Sequence, residues 1–213
     1  ALYASGMRGF ELQKLGLGME EAMFSDWTLP DRGVLKGEAL QDFINQKLKN
    51  QPIQKLPKPL GVVATDLQSG EKVLFRMGDT GTAVRASSAV PGVFQPVAIS
   101  GRDYVDGGLT SPVPAQSARA MGADFVIAVD ISNVRRRDRL VGTLDVLLQT
   151  FAIMGHTISL HELEDADVVI RPQTSAVSST SFEDRHLAIL EGEQAAAAIM
   201  PELKAKLARA RAR

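Results

Sequence analysis

The stretch that decides the fold is YVDGGL, residues 104–109, in which an apolar β-strand ends in Asp106-Gly107-Gly108. An aspartate in this position lies at the carboxyl end of its strand, which is where open α/β sheets bind their ligands. The two glycines allow a tight turn, or a close approach of the backbone to a ligand. On these residues alone, an ordinary Asp-Gly turn that closes a hairpin is the favoured interpretation.

Short apolar runs occur at intervals on both sides of this stretch. LGVVATD at 60–66, DFVIAVD at 124–130 and DVVIRP at 167–172 are typical of strands that are buried on both faces. Helical patterns alternate with these runs, around 40–48, 82–90, 114–121, 140–163 and from about 186 onward, where the last is broken or restarted at Pro201. The alternation predicts an α/β fold, a three-layer sandwich whose central sheet is mainly parallel.

Two hairpins and an irregular N-terminal region complete the predicted organisation. KVLFRM at 72–77 follows the turn residues 68–70, and a second hairpin is centred on Ser100-Gly101-Arg102. Residues 1–5 are interpreted as the last turns of a helix that Gly6 ends. Residues 7–33, which contain several glycines, are interpreted as a loop with short turns.

Composition narrows the class of protein. The 213 residues carry 24 basic and 25 acidic side chains and no cysteine, which suits one domain spanning 1–213. A net charge of -1 removes the chain-wide electrostatic argument for nucleic-acid binding, and the lack of cysteine excludes disulfides and thiolate metal sites. No apolar run approaches the ~18 residues that span a membrane. The arginine cluster 135–137 is interpreted as solvated surface, with a contact to anionic lipid headgroups as the alternative.

Familiar catalytic patterns are missing. His156 and His161 are five residues apart on a predicted helix and do not share a metal-binding face, and His186 stands alone. No serine has glycine two residues before and after it, so the nucleophile elbow G-x-S-x-G is absent, and no phosphate-binding Walker loop is present. The sequence therefore predicts no metal site and no cofactor.

Several segments together carry a resemblance to a known family. ATDLQSGEKVLFRMGD at 64–79, AVRASSAVPGVFQPV at 83–97 and the run from DYVDGGL to FVIAVD at 103–130 resemble the bacterial patatin-like phospholipases. The segments at 31–44 and 182–196 are similar to that family in order and spacing, so the resemblance extends over nearly the whole chain. It reverses the preference for an ordinary turn at Asp106.

The resemblance implies a lipid acyl hydrolase, either a phospholipase, a lysophospholipase or a carboxylesterase, that uses a Ser-Asp dyad. Asp106 would be the general base, Gly107 and Gly108 would shape its turn, and Pro91 to Pro96 would be a structural neighbour of the site. A positioned carboxylate can deprotonate a serine hydroxyl when no imidazole is available. The expected partners are a lipid or ester substrate and the membrane surface, with no nucleic acid, in a bacterial protein that is cytoplasmic or peripherally membrane-bound.

In this family the oxyanion loop and the nucleophilic serine precede the segment that ALYASGM resembles. The expectation is therefore a patatin-like domain that is incomplete at its N-terminus and inactive alone, because the catalytic serine belongs to a missing N-terminal segment. Two alternatives remain open. The chain could be a non-catalytic remnant that acts as a binding or interaction module, or Ser87 or Ser88 could replace the missing nucleophile.

Overall fold

A computed structural model describes the protein. It covers residues 1–28, 32–132, 142–174, 177 and 183–212. The chain packs into two compact units, Ala1–Thr110 and Ser111–Arg213. The arginine cluster at 135–137 lies outside the described residues. One domain over 1–213 stays a prediction.

The described residues of the first unit form three α-helices. They are α1 (Gly9–Leu17), α2 (Glu38–Lys47) and α3 (Thr80–Ser87). The prediction that residues 7–33 form only loop and short turns is wrong, because α1 occupies part of that range. The side chain of Glu11 accepts a hydrogen bond from the backbone N–H of Arg8 at 2.7 Å and so caps the helix. Glycines within and after α1 obscured this helix in the sequence.

The sheet of the first unit has four strands, all antiparallel. They are β1 (Val62–Asp66), β2 (Lys72–Phe75), β3 (Val97–Ile99) and β4 (Arg102–Asp106), in the order β2-β1-β4-β3. The fold is α/β, but the prediction of a mainly parallel central sheet is wrong for these four strands, because every pairing among them is antiparallel. All five residues of β1 are buried. A continuous apolar run indicates a strand that is buried on both faces. An antiparallel strand between two neighbours, such as β1, can be buried in this way as well as a parallel one can.

Helix α3 packs against α2 on one side and against β1 and β4 on the other. Asp79 caps its N-terminus by accepting from the N–H of Thr82 at 2.6 Å. A β-carbon on Gly81 would lie 2.5 Å from the carbonyl oxygen of Gln41, so the two helices approach closely only because this residue is glycine. At the other end of the helix, Ala86 and Ala89 are almost completely buried. This packing fixes the end of α3 beneath the sheet.

The two hairpins predicted from turn residues are confirmed. Strands β1 and β2 pair in antiparallel register, and so do β3 and β4. Between β3 and β4, Ser100 and Gly101 have φ of 51° and 82°. Two consecutive left-handed residues are the conformation of a type I′ turn, whose twist matches that of paired strands.

Where the structure describes the second unit, it forms a two-stranded parallel sheet and three α-helices. They are α4 (Ala115–Ala120), β5 (Ile127–Val129), α5 (Thr143–Glu162), β6 (Val168–Ile170) and α6 (Arg185–Arg211). Glu162 is buried at the end of α5, where its carboxylate accepts from the Ser111 hydroxyl and from the N–H of Val113. Contrary to the predicted break, α6 continues through Pro201. This helix buries none of its described residues, so water can satisfy the carbonyl that loses its partner.

Among the described residues, no helix combines the length and the apolar character that crossing a lipid bilayer requires.

Candidate active site

Asp106 is the last residue of β4, and antiparallel pairing sets it opposite Ala64 of β1. Its backbone N–H donates to the carbonyl oxygen of Ala89, just beyond α3, at 3.0 Å. The Thr65 hydroxyl donates to the carbonyl oxygen of Asp106 at 2.9 Å. The main chain of Asp106 is therefore held from β1 and from the end of α3 at once.

The two carboxylate oxygens of Asp106 differ in their surroundings. Oδ1 accepts a hydrogen bond from the backbone N–H of Gly108 at 2.6 Å. Oδ2 has no hydrogen-bond partner in the described part of the chain, and it is not sealed from solvent. One oxygen fixes the orientation of the carboxylate, and the other is left free to accept a proton.

Burial raises the pKa of Asp106 above the ordinary aspartate value, and the hydrogen bond from Gly108 only partly opposes this shift. Burial has this effect because a charged carboxylate loses hydration when apolar neighbours surround it. A carboxylate with a raised pKa binds a proton more strongly and is a better general base. The electrostatics of Asp106 therefore suit proton transfer.

The two glycines after Asp106 are required for different reasons. A β-carbon on Gly107 would lie 2.3 Å from the carbonyl oxygen of Val63 on the adjacent strand, so no other residue fits. A β-carbon on Gly108 would lie 3.0 Å from Oδ1 of Asp106 and would press on the carboxylate. Residues Gly107–Leu109 form a single 3₁₀ turn. In this turn Gly107 lets the backbone pass close to Val63 of β1, and Gly108 donates its N–H to the Asp106 carboxylate.

Two described strands end in an aspartate and a third is followed by one, and both aspartates other than Asp106 are neutralised. Asp66 ends β1, and a hydrogen bond from Arg102 at 2.7 Å lowers its pKa. Asp130 follows β5; burial opposes its ionisation, but hydrogen bonds from Ser132 and an ion pair with Arg171 outweigh burial and lower its pKa. Sequence analysis did not single out either residue, although an acidic residue after an apolar run was the available signal. No cation pairs with Asp106 in the described part of the chain, which distinguishes it from both.

The two serines considered as alternative nucleophiles directly precede Ala89, whose carbonyl oxygen binds the Asp106 amide. Ser87 ends α3, Ser88 follows it, and the next residue, Ala89, accepts the hydrogen bond from the Asp106 amide. Both serines are half-buried, and within the described residues neither hydroxyl is hydrogen-bonded to Asp106. The stretch from Pro91 to Pro96 begins two residues after Ala89, whose carbonyl oxygen accepts the hydrogen bond from the Asp106 amide.

The histidines lie in the second unit. Nδ1 of His156 is 3.0 Å from the backbone carbonyl oxygen of Ser132. His161 is largely exposed, with Glu164 4.0 Å away. No group of three or more acidic or imidazole side chains that could bind a metal ion occurs among the described residues.

Comparison with known proteins identifies relatives of the chain. A family model described as patatin-like phospholipase matches residues 1–119, more than half of the chain. An uncharacterized NTE family protein of Mycobacterium tuberculosis is 36% identical over 107 residues, which is 50% of this chain and 30% of the relative. A second one is 27% identical over 200 residues, covering 82% of this chain and 34% of the relative.

A mouse relative has the same family name in its description. The patatin-like phospholipase domain-containing protein 7 of Mus musculus is 30% identical over 110 residues, 51% of this chain and 8% of the mouse protein. The chain thus spans about a third of the length of the mycobacterial relatives, 30% and 34% respectively. The matched segment 1–119 contains Asp106, Gly107 and Gly108.

Proposed function

This chain belongs to the patatin-like phospholipase family, and we propose that it supplies the general base, Asp106, of a lipid acyl hydrolase. The observation that supports this role is the asymmetric carboxylate: Oδ1 is held by the N–H of Gly108, and Oδ2 has no partner among the described residues. The raised pKa adds to its basicity.

The proposed reaction proceeds through an acyl-enzyme. Oδ2 of Asp106 accepts the proton of a serine hydroxyl as the serine oxygen attacks the ester carbonyl carbon. The tetrahedral intermediate collapses, the bond to the alcohol breaks, and Asp106 returns the proton to the departing oxygen. Asp106 then deprotonates a water molecule as the water oxygen attacks the acyl carbon. The second tetrahedral intermediate collapses, the bond between the acyl carbon and the serine oxygen breaks, Asp106 returns the proton to that oxygen, and the fatty acid leaves. This sequence regenerates both groups and needs no histidine, cofactor or metal ion.

The nucleophile is the second half of the proposal. Because no serine of this chain stands in a G-x-S-x-G sequence, we assign the nucleophile and the oxyanion donors to residues outside 1–213. The 213-residue chain alone is then inactive, since a base without a nucleophile cannot form the acyl-enzyme. Ser87 and Ser88 are the competing assignment, and they lack the strained turn that presents a serine above a sheet.

The proposed substrate is an ester of a long-chain fatty acid, whether phospholipid, lysophospholipid or simple ester. Such substrates reside in or partition to membranes, so we propose that the protein works at the membrane surface of a bacterial cell as a peripheral protein.

The test is labelling with a serine-reactive alkyl phosphonate, followed by intact mass measurement. It compares the 213-residue chain with the natural-length protein, meaning the product of the complete gene. The proposal expects one phosphonate adduct on a natural-length protein heavier than 22.9 kDa and none on the 213-residue chain. An adduct on Ser87 or Ser88 would contradict the assignment. No adduct on either protein would favour the alternative of a non-catalytic binding module, for which the missing serine motif is the supporting feature.

A further inference from the structure

An apolar pocket of about 540 Å³ opens between α1 and α2 in the first unit, in residues that do not include Asp106, Gly107 or Gly108. Its volume falls within the range of small-molecule sites, roughly 300–1,000 Å³. The residues that line it are Met7, Phe10, Leu15, Met19, Met23 and Phe43, with Glu11, Lys14, Gly18 and Lys47. No part of the proposed catalytic function uses this pocket.

Its apolar wall is suited to a flexible chain. Three of the lining residues are methionines, whose unbranched and polarizable side chains adapt to irregular apolar ligands. Phe10 is 77% exposed and Met23 is 47% exposed, although both are large apolar side chains. Helix α1 has no fully buried residue, and it forms one wall of the pocket while Leu15 packs against the core. A hydrocarbon chain would cover side chains that the fold leaves in water.

The charged side chains of the pocket indicate which headgroup a ligand would carry. Lys14 and Lys47 line the pocket, and in the described part of the chain neither is in an ion pair. The ammonium of Lys47 lies 5.5 Å from the ring centroid of Phe43. The one acidic lining residue, Glu11, is engaged by the backbone N–H of Arg8 at 2.7 Å. Two cations without anionic partners beside an apolar wall are complementary to an anionic amphiphile.

From these contacts we propose that the pocket between α1 and α2 binds a single long-chain alkyl carboxylate, a fatty-acid anion. The hydrocarbon chain lies among the methionines and Phe10, and the carboxylate lies at Lys14 and Lys47. A pocket of about 540 Å³ has room for a single chain. The inference goes beyond the proposed function, because binding here requires neither Asp106 nor a nucleophile.

The test is isothermal titration calorimetry of the natural-length protein with octanoate, decanoate and dodecanoate below their micellar concentrations. Affinity should rise by up to about fourfold for each added methylene that becomes buried. A double Lys14→Gln, Lys47→Gln variant should bind dodecanoate about tenfold more weakly, as expected for the loss of two exposed ion pairs. The same variant should bind dodecanol within about twofold of the unaltered protein, since the neutral head makes no ion pair.

Three further variants complete the design. Phe10→Ser should weaken both dodecanoate and dodecanol, and it leaves the core intact because Phe10 is exposed. Lys72→Gln removes an exposed lysine of β2, outside the pocket, and should change nothing. Asp106→Asn removes the proposed base, and adding the two lysine substitutions to this variant should weaken dodecanoate binding by the same factor, so failed catalysis and failed binding are distinguishable.

Three results would overturn the inference. One is equal affinity for dodecyltrimethylammonium, which carries the opposite charge. Another is binding of dodecanoate that depends on neither chain length nor the two lysines. The third is binding to phosphatidylglycerol vesicles without any binding of monomeric dodecanoate, which would make this face a membrane contact.

Discussion

Gly107 approaches Val63 so closely that a β-carbon on the glycine would lie 2.3 Å from the carbonyl oxygen of Val63. This contact packs the turn after β4 against β1. The same turn contains the N–H of Gly108, which orients the Asp106 carboxylate. The glycine pair therefore links the stability of the sheet to the geometry of the candidate base. The two glycines can be separated by substitution.

Gly107→Ala should lower the free energy of unfolding by about 1–3 kcal/mol, because the backbone oxygen of Val63 cannot move away without breaking the sheet. Gly108→Ala should cost about 1 kcal/mol or less, because its β-carbon meets a side-chain oxygen of Asp106 at 3.0 Å rather than backbone. Urea unfolding followed by circular dichroism measures both. Equal losses for the two variants would show that the contact with Val63 is not the constraint.

Asp106→Asn should stabilise the protein at neutral pH. Burial raises the pKa of Asp106, so ionised Asp106 favours the unfolded state, in which the charge is hydrated. That cost is absent below the ordinary aspartate pKa of about 3.9 and develops as pH rises through the raised folded-state pKa. The asparagine keeps an oxygen for the N–H of Gly108. Thermal unfolding across pH 3–8 should therefore show a higher melting temperature for the variant than for the unaltered protein only at the higher pH values. A variant that is less stable than the unaltered protein at pH 7 would contradict the raised pKa.

Asp66→Asn should show the opposite pH dependence. The hydrogen bond from Arg102 lowers the pKa of Asp66, so the ionised carboxylate stabilises the folded state. This contribution is complete above about pH 3.9 and is lost as pH falls through the lowered folded-state pKa. The variant should be less stable than the unaltered protein at pH 7, and the two should converge in acid. A difference that persists unchanged at pH 2 would exclude the ion pair as its origin.

Glu162→Ala should cost the second unit about 1–3 kcal/mol, because the Val113 N–H and the Ser111 hydroxyl lose their buried acceptor. Glu162→Gln retains an acceptor oxygen and should cost less. Hydrogen exchange of the Val113 amide reports the effect locally. If the alanine and glutamine variants protect this amide equally, the carboxylate does not hold the segment.

The sequence allowed some elements to be predicted because their signals are local. The Ser100-Gly101 turn needs left-handed backbone conformations, and the glycine in the sequence indicated such a turn. Strand β1 was located by its apolar run, but its antiparallel partners were not, because burial on both faces does not encode strand direction. Helix α1 was missed because Gly9, Gly16 and Gly18, within it and directly after it, are typical of turns.

The candidate site shows the same division. The position of Asp106 at the end of a strand could be predicted from DYVDGGL. The contacts that give its two oxygens different roles could not, since the amide of Gly108 and the carbonyl of Val63 meet the turn only through tertiary packing. Nor could the sequence show that Asp66 and Asp130 are neutralised, because their arginine partners are 36 and 41 residues away along the chain.

The role of Asp106 as general base is tested most directly by ester hydrolysis by the natural-length protein and its Asp106→Asn variant. Asp103→Asn is the matched control, because Asp103 lies on the same strand and pairs with Arg32 on the surface. Asp106→Asn should lower kcat/KM by about 10²–10⁴-fold, the usual contribution of a general base, while Asp103→Asn stays within severalfold. A folded Asp106→Asn protein with unchanged turnover would contradict the account and make Asp106-Gly107-Gly108 an ordinary turn.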